Sequence, residues 1–163
     1  MMLVRHMREH DSARFEIMVF TDDARCTGEI FGPNVRILPL GPGDPTNRLR
    51  SAHLDIAIDM MGPSYGESWS GIEAFAAFTR RVAPVQCQWI STTTTNGDAS
   101  QFDYLLADEY LVPRSLENLY SEKIKRLTDV VHCWNPPDEE APAVTLQRDF
   151  GALEKRLRIV VAH

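Results

Sequence analysis

Short apolar runs, separated by polar turns and by stretches with helical spacing, dominate the first two thirds of the chain. Five of these runs predict strands, at residues 15–20, 35–40, 54–61, 85–90 and 102–107. Apolar residues at helical spacing predict helices at 1–10, 47–53, 72–81 and 115–122, with Pro84 ending the third. Strands that alternate with helices predict an α/β fold, with a Rossmann-like, mostly parallel sheet and helices on its faces.

The two ends of the chain differ from those of a doubly wound unit. The chain opens on the helix at 1–10 with no strand before it, and it closes on an apolar strand within 157–163. A Pro-rich acidic stretch at 135–142 indicates a linker. We therefore expect a lobe over 1–134, a linker over 135–156 and the first strand of a second lobe over 157–163, a fold truncated at both ends. Apolar surface left exposed at both ends predicts self-association.

Composition and charge narrow the class of protein. The chain has 17 Lys and Arg against 23 Asp and Glu, a net charge of −6, which argues against nucleic acid or an anionic membrane as the main partner. No apolar run approaches the roughly 20 residues that span a bilayer, and the start lacks the order of a signal peptide. Cys26, Cys87 and Cys133 form no Cys-x-x-Cys pair and are expected to be reduced thiols, as in a cytoplasmic protein.

The loop after the third predicted strand is the first candidate binding site, because ligands of open parallel sheets bind beyond the carboxyl ends of the strands. Gly62 permits a close backbone approach, and Ser64 can bind a sugar hydroxyl. An ordinary strand-to-helix turn explains the same residues. Asp59, at the end of the strand, is either a ligand contact or a hydrogen-bonded structural carboxylate.

The loop after the fourth predicted strand is the second candidate. Trp89 and Ile90 lead into five consecutive hydroxyl side chains, Ser91 to Thr95, followed by Asn96-Gly97. The loop lacks the glycine spacing and the lysine of a phosphate-binding P-loop, and a solvated connection is the alternative. His6 and His10 are four residues apart without a third ligand, which favours a surface helix over a metal site. The residues alone therefore predict half of an α/β protein with a polar ligand-side rim.

Five short motifs add a more specific indication when taken in chain order. They are His10–Glu16 (similar to HDxxRFE), Leu54–Gly62 (DILVDLxGHT), Arg81–Trp89 (RPAPVQVxW), Phe102–Asp108 (MDYxIxD) and Leu119–Leu127 (LYxEKLxRLP). In this order and spacing they resemble the first catalytic lobe of the SPINDLY/O-linked N-acetylglucosamine transferase family.

The resemblance implies a fold, a reaction and a set of binding residues. Members of the family have the GT-B architecture, in which two Rossmann-like lobes face each other, and tetratricopeptide repeats commonly precede the lobes. They transfer a sugar, N-acetylglucosamine or a similar one, from a nucleotide sugar (here expected to be a UDP-sugar) to Ser or Thr of a protein acceptor, with no metal or other cofactor. The sugar-side residues implied for this chain are Gly62, Ser64, Trp89, Ile90, Ser91, Thr92 and Thr95. No residue is identified as the general base.

The chain also departs from the family pattern. The family's WLGYPGT loop reads Trp-Ile-Ser-Thr-Thr-Thr-Thr over 89–95, so both loop glycines are replaced, and Pro63 stands where the family has His or Tyr. The family's first strand with its His loop, and nearly all of the second lobe's nucleotide site, are expected to lie outside residues 1–163. We therefore expect the chain to be inactive alone. The competing hypothesis is a non-catalytic degenerate lobe that serves as a binding or scaffold module, and a longer natural reading frame would favour the enzyme.

Overall fold

The computed structural model describes residues 4–60, 62, 69–89, 94–98, 100–128 and 131. Their elements, in chain order, are α1 (Val4–Arg8), β1 (Ile17–Phe20), α2 (Gly28–Phe31), β2 (Val35–Leu38), α3 (Thr46–Ser51), β3 (Ile56–Asp59), α4 (Trp69–Phe78), β4 (Val85–Trp89), β5 (Tyr104–Ala107), a 3-10 helix (Arg114–Leu119) and β6 (Lys123–Arg126). The predicted linker at 135–156 and the predicted strand within 157–163 lie outside the described residues.

The described strands form two parallel sheets. One contains β1 and β2, and the other has the order β3-β4-β5-β6. In the larger sheet Ile56 pairs with Val85, Cys87 with Tyr104, and Tyr104 with Lys123, always in parallel register. The carboxyl ends of β3 to β6 therefore meet at one edge of the sheet. This arrangement confirms the predicted α/β fold with a mostly parallel sheet.

Helix α4 packs on one face of the four-stranded sheet and forms the main core with it. Ala77 and Phe78 of the helix pack with Ala57 of β3 and with Phe102, which is fully buried. The Phe102 ring lies 5.1 Å from the Phe78 ring and 5.8 Å from the Phe75 ring, measured between centroids. Such contacts bury a large apolar area with a defined geometry. The predicted packing of the helix at 72–81 against the sheet is confirmed.

The end of α4 is set by side chains from elsewhere in the fold and comes earlier than the predicted stop at Pro84. The helix ends at Phe78, and Arg81 then takes a left-handed conformation with φ of 53°. The buried amide of Gln86 donates to the Phe78 carbonyl at 2.8 Å, and the Arg50 guanidinium donates to the carbonyls of Arg80 and Arg81. Gln86 thus supplies a donor to a carbonyl of the last helical turn, and Arg50 binds the carbonyls of two residues just beyond the helix.

The described part of the first helix is packed, so the apolar surface expected to be exposed at this end of the chain is partly covered. Met7 of α1 packs against the small buried cluster of Phe31 and Val35. The Arg8 guanidinium donates to the backbone carbonyl of Ile30 at 2.6 Å, at the end of α2. The short helix α2, which no sequence pattern predicted, therefore gives α1 a surface to cover.

The helix predicted at 115–122 is shorter and of a different type than predicted. Residues Arg114–Leu119 form a 3-10 helix, Tyr120 is extended with ψ of 138°, and Lys123–Arg126 form the edge strand β6. The physical reason is tertiary, because pairing with β5 supplies the backbone hydrogen bonds that a longer helix would otherwise provide.

Candidate functional site

The turn after β3 is built around Gly62 and Asp59 at the carboxyl edge of the sheet. Asp59 is buried, and its Oδ2 accepts a hydrogen bond from the Gly62 N–H at 2.9 Å. Gly62 has φ of 60°, a left-handed conformation that glycine adopts without the steric penalty of a side chain. Asp59 thus has the contact expected of a structural carboxylate, and Gly62 brings the backbone close to the sheet edge. Ser64 lies outside the described residues.

Trp89 ends β4 at the same edge. Its indole N–H is buried, and no described residue accepts a hydrogen bond from it. A buried donor of this kind is a strong site for an acceptor oxygen, because leaving it without a partner is unfavourable by about 1–3 kcal/mol. Ile90, Ser91 and Thr92, the other residues implied for this loop, lie outside the described residues.

Thr95, the last of the implied sugar-side residues, is engaged by the protein. Its Oγ1 donates to Oε2 of Glu122 at 2.8 Å and lies 2.8 Å from Oγ of Ser121. The same oxygen accepts from the backbone N–H groups of Gly97 and Ser121, each at 3.1 Å. The structure therefore places Thr95 beside the amino end of β6, where its hydroxyl holds the loop to the sheet.

Asn96 extends this attachment to the interior of the sheet. Its backbone N–H and its Nδ2 both donate to Oε1 of Glu122, at 2.7 and 2.9 Å. Its Nδ2 also donates to Oε1 of Gln88, a buried residue of β4, at 2.5 Å. Burial raises the pKa of the Glu122 carboxyl, but the hydrogen bonds from Asn96 and Thr95 outweigh burial and hold that pKa below its usual value. Glu122 is therefore an ionised acceptor at neutral pH.

Asp108 and Arg126 fasten the chain at the carboxyl ends of β5 and β6. Asp108 is buried, and its two carboxylate oxygens accept from the N–H groups of Leu111 and Val131 at 2.6 and 2.7 Å. Arg126 donates to the Val112 carbonyl at 2.7 Å and pairs with Glu117 at 3.0 Å. Both residues occur in the family-like motifs, and in this structure they position the backbone around the edge.

Glu122 and Asp108 both lie within the family-like motifs, but the sequence pattern indicates no role for either residue. A single acid beside Ser121 and Lys123 has the pattern of a solvated turn, yet Glu122 is only 4% exposed. The available signal was the Asn96-Gly97 pair after the Thr-rich run, since Asn in such a loop needs hydrogen-bond partners. Nothing in the local sequence shows that Glu122 supplies the acceptor.

The residues that the structure describes form neither a metal site nor a membrane-spanning helix. Among them, no group of three or more His, Cys, Asp or Glu side chains is arranged to hold a metal ion, and no helix has the length and apolar character needed to cross a membrane. Helix α1 ends at Arg8, so His10 lies beyond it, with Nδ1 2.6 Å from the Met7 carbonyl. A cavity of about 360 Å³ opens beside Pro84, Tyr104 and Lys123, at the amino ends of the strands and away from the candidate edge.

The geometry supports binding more directly than it supports acid–base chemistry. The carboxylates of Asp59, Asp108 and Glu122 all accept hydrogen bonds from backbone N–H groups, which fixes them as structural acceptors. The described part of the edge offers a tight glycine turn at Gly62 and a buried donor at Trp89. Gly62 and Trp89 are the implied sugar-side residues that the described part of this edge contains.

Comparison with solved structures shows which known fold this chain resembles. No protein-family model matches the sequence, and the search of curated proteins gives no match. Among solved structures, the chain is similar to a mutant of O-GlcNAc transferase from Thermobaculum terrenum, with 27% sequence identity and a TM-score of 0.67. The match covers 88% of this chain and 28% of that chain, so this chain spans less than a third of that protein's length.

Proposed function

We propose that this chain, which has an O-GlcNAc-transferase-like GT-B lobe, forms the sugar-side half of the site of a nucleotide-sugar-dependent glycosyltransferase. The single observation that carries the proposal is the structural match over 88% of the chain. That match confirms the predicted resemblance and supports a glycosyltransferase-like fold. The position of Gly62 and Trp89 at the carboxyl edge of the sheet adds a place for the ligand.

The proposed donor is a UDP-sugar carrying N-acetylglucosamine or a similar sugar, and the proposed acceptor is a Ser or Thr hydroxyl of a protein. Trp89 donates a hydrogen bond to the sugar, and Gly62 allows the backbone to approach it. Ser64, Ile90, Ser91 and Thr92 complete the sugar-side surface as the family resemblance implies. Tetratricopeptide repeats in the same protein, a cytoplasmic location and a reaction without metal or cofactor belong to the same proposal.

Activity requires more than this lobe. In glycosyl transfer the leaving nucleotide develops negative charge, and catalysis depends on preorganised groups aimed at that charge. The described residues near the edge supply no such basic cluster, so the proposed complete site needs a second lobe. We therefore expect the 163-residue chain to show no measurable transfer and to bind nucleotide sugars no tighter than about 1 mM, equivalent to roughly −4 kcal/mol. Calorimetry with several UDP- and GDP-sugars measures this limit, and a micromolar dissociation constant would contradict it.

Saturation-transfer NMR tests the proposed half-site directly because it detects ligands that bind at millimolar strength. With UDP-N-acetylglucosamine at about 1 mM, the sugar protons should receive more saturation from the protein than the uridine protons. The Trp89→Phe variant retains an aromatic ring but lacks the indole N–H. We expect it to weaken the sugar signal roughly two- to tenfold, the factor for one hydrogen bond. Saturation confined to uridine, or an unchanged signal in Trp89→Phe, would contradict the assignment.

A non-catalytic binding or scaffold module is the competing function. It is favoured by the carboxylates of Asp59, Asp108 and Glu122, all of which serve structural hydrogen bonds. The same NMR experiment separates the two proposals. A scaffold module predicts no saturation of any nucleotide sugar, whereas the half-site predicts saturation of the sugar protons.

A further inference from the structure

One face of the four-stranded sheet is not covered by any of the helices that the structure describes. Side chains alternate between the two faces of a strand, and residues paired in parallel register share a face. Helix α4 covers the face that carries Ala57. The pairings of Ile58 with Cys87, Cys87 with Tyr104 and Tyr104 with Lys123 trace the opposite face. This opposite face, called the open face from here on, has apolar residues on β3 to β5 and lysines on β6: Ile56, Ile58, Tyr104, Leu106, Lys123 and Lys125.

The described helices all pack elsewhere. Residues of α3 and α4 pack with Ala57, so both of these helices lie on the covered face. Helices α1 and α2 pack with residues of β1 and β2. The 3-10 helix is tied to the covered face by Glu117, which pairs with Arg126 of β6 at 3.0 Å. No described helix therefore lies on the open face.

The exposure of β3 shows the difference between the two faces. Ile56 and Ile58, on the open face, are 56% and 44% exposed. Ala57 and Asp59, on the covered face of the same strand, are 6% and 5% exposed. A parallel sheet ordinarily has helices on both faces, because its strands are otherwise too apolar to meet water. The open face is therefore an apolar surface that a further element would stabilise by covering it.

The open face is positively charged, although the whole chain has a net charge of −6. Lys123 and Lys125 of the edge strand β6 are both exposed on it. Within the described spans of β3 to β6, no acidic residue shares this face. Asp103, which precedes β5, is engaged by the Arg81 guanidinium at 3.0 Å. The two lysines therefore favour an acidic partner.

The dimensions of the open face suit a single helix. Neighbouring strands lie about 4.8 Å apart, so the apolar strands β3 to β5 span roughly 10 Å, the width of one helix. A helix aligned with these strands places one flank above the lysines of β6. At the amino end of the face, a cavity of about 360 Å³ beside Val85, Tyr104 and Lys123 leaves room for a bulky side chain of that helix. A second copy of this chain would bring the same lysines and no acid on this face, so it lacks the complementary charge.

We infer that the open face is a docking surface for an amphipathic helix that has acidic residues along one flank. The apolar side of the helix packs on Ile56, Ile58 and Leu106, and its acidic flank meets Lys123 and Lys125. Apolar contact supplies the affinity, and the lysines select acidic helices over basic ones. The inference is independent of the proposed function, because none of these residues is assigned to the donor sugar.

Two synthetic peptides of about 18 residues, roughly five helical turns, test the inference on the full 163-residue chain. Both have leucines on one side of the helix, and one has glutamates along the flanks where the other has lysines. Fluorescence anisotropy of the labelled peptides at low salt measures each dissociation constant. The acidic peptide should bind about tenfold more tightly than the basic one. Nonspecific attraction to a chain of net charge −6 would favour the basic peptide instead.

Charge-swapped variants assign the preference to the lysines. Lys123→Glu/Lys125→Glu should reverse the order of the two peptides, because it replaces the positive flank of the face with a negative one. The matched control is Arg25→Glu/Arg36→Glu, an equal change of charge at exposed residues outside the four-stranded sheet. In the control the acidic peptide should remain the tighter ligand.

A second pair of variants tests the apolar contact. Ile58→Ser should weaken the binding of the acidic peptide about fivefold or more, because it removes apolar area from the contact. Leu116→Ser is the matched control, since Leu116 is 45% exposed on the 3-10 helix and Ile58 is 44% exposed. Leu116→Ser should leave the affinity unchanged.

Cross-linking of the parent chain locates the acidic peptide even if a variant does not fold. The chain has three lysines, Lys123, Lys125 and Lys155, and Lys155 lies outside the described residues. A carbodiimide joins a glutamate of the peptide to a lysine that it touches. Mass spectrometry should therefore find the cross-links at Lys123 and Lys125.

Four results would overturn the inference. Absence of binding by the acidic peptide at about 1 mM would show that the open face accepts no such helix. Equal affinities, or tighter binding of the basic peptide, would remove the acidic preference. Unchanged binding in Ile58→Ser, or cross-links confined to Lys155, would place the peptide elsewhere. A dimer that Ile58→Ser disrupts and the acidic peptide does not dissociate would identify a second copy of the chain as the occupant.

Discussion

Replacing Gln86 by methionine should destabilise the lobe strongly, although methionine has similar volume and is more apolar. The Gln86 side chain is fully buried in β4. Its Oε1 accepts from the Val82 N–H at 2.7 Å, and its Nε2 donates to the carbonyls of Phe78 and Gln101 at 2.8 and 2.5 Å. One amide therefore joins the end of α4, the turn after it and the segment before β5.

The size of the expected destabilisation follows from the hydrogen bonds that the partners of the Gln86 amide lose. The Phe78 carbonyl retains a hydrogen bond from the Arg81 N–H at 3.1 Å, so it loses only one of two donors. The Val82 N–H and the Gln101 carbonyl lose the partner described for them, and each buried group left without a partner costs about 1–3 kcal/mol. Methionine recovers part of this by burying apolar surface. We expect the free energy of unfolding to fall by about 2–5 kcal/mol. This is a large fraction of the roughly 5–15 kcal/mol by which a typical domain is stable.

Urea unfolding followed by circular dichroism measures this loss. With a slope of about 2 kcal/mol per molar urea, the midpoint should fall by about 1–2.5 M at an unchanged slope. Gln101→Met is the matched control, because it is the same substitution at a buried site whose side chain donates one bond, to the Phe75 carbonyl at 3.2 Å. The control should lose about 1 kcal/mol. Equal losses in the two variants, or a loss below about 1 kcal/mol for Gln86→Met, would refute the reasoning.

Three further predictions concern the core, acid stability and association. Phe102→Ala should cost about 3–5 kcal/mol in urea unfolding, since it leaves a cavity between the sheet and α4, and a loss below about 1 kcal/mol would show that the site collapses freely. Burial raises the pKa of the Glu122 carboxyl, but hydrogen bonds outweigh burial and hold that pKa below its ordinary 4.5. The ionised carboxylate therefore contributes fully to the stability of the fold above pH 4.5, and this contribution is lost as the pH falls through the folded-state pKa. The melting temperature should therefore drop below about pH 4.5, and less steeply in Glu122→Gln; equal slopes would contradict this. The chain should self-associate at tens of micromolar, roughly ordinary working concentrations, and Ile58→Lys should reduce the association because Ile56 and Ile58 are 56% and 44% exposed on β3. Sedimentation of a compact monomer for the parent chain would count against it.

The elements that could be predicted are those whose own residues specify them. The strands β1 to β5 all lie within the predicted runs, because short apolar runs and apolar–polar alternation are local signals for a strand. Strand β6 escaped prediction because Lys123 to Arg126 contain one apolar residue, Ile124, and pairing with β5 holds them extended. The helix α2 was missed because four residues carry too little periodicity to detect.

The candidate site was predictable in position and only partly in its contacts. Gly62, after the third predicted strand, and Trp89, at the end of the fourth, lie at the carboxyl edge, whereas Thr95 lies beside the amino end of β6. The roles of the loop residues differ, since Thr95 faces Glu122 and Ser121 in this structure. Gln86 and Gln88 alternate with other residues in β4 and have the pattern of a half-solvated strand, yet both are fully buried. Alternation shows which residues share a face, and it does not show what covers that face.

The sequence by itself determined the α/β class, the positions of β1 to β5 along the chain and the family-like motifs, because these depend on neighbouring residues along the chain. Only the tertiary structure decided that Glu122 meets Asn96, that Arg126 meets Glu117 and that α1 rests on α2. Contacts of this kind depend on strand register and on the path of connecting loops, which fix distances between residues far apart in sequence. A carboxylate therefore acquires its burial, its hydrogen bonds and its lowered pKa only when the sheet that carries it has formed.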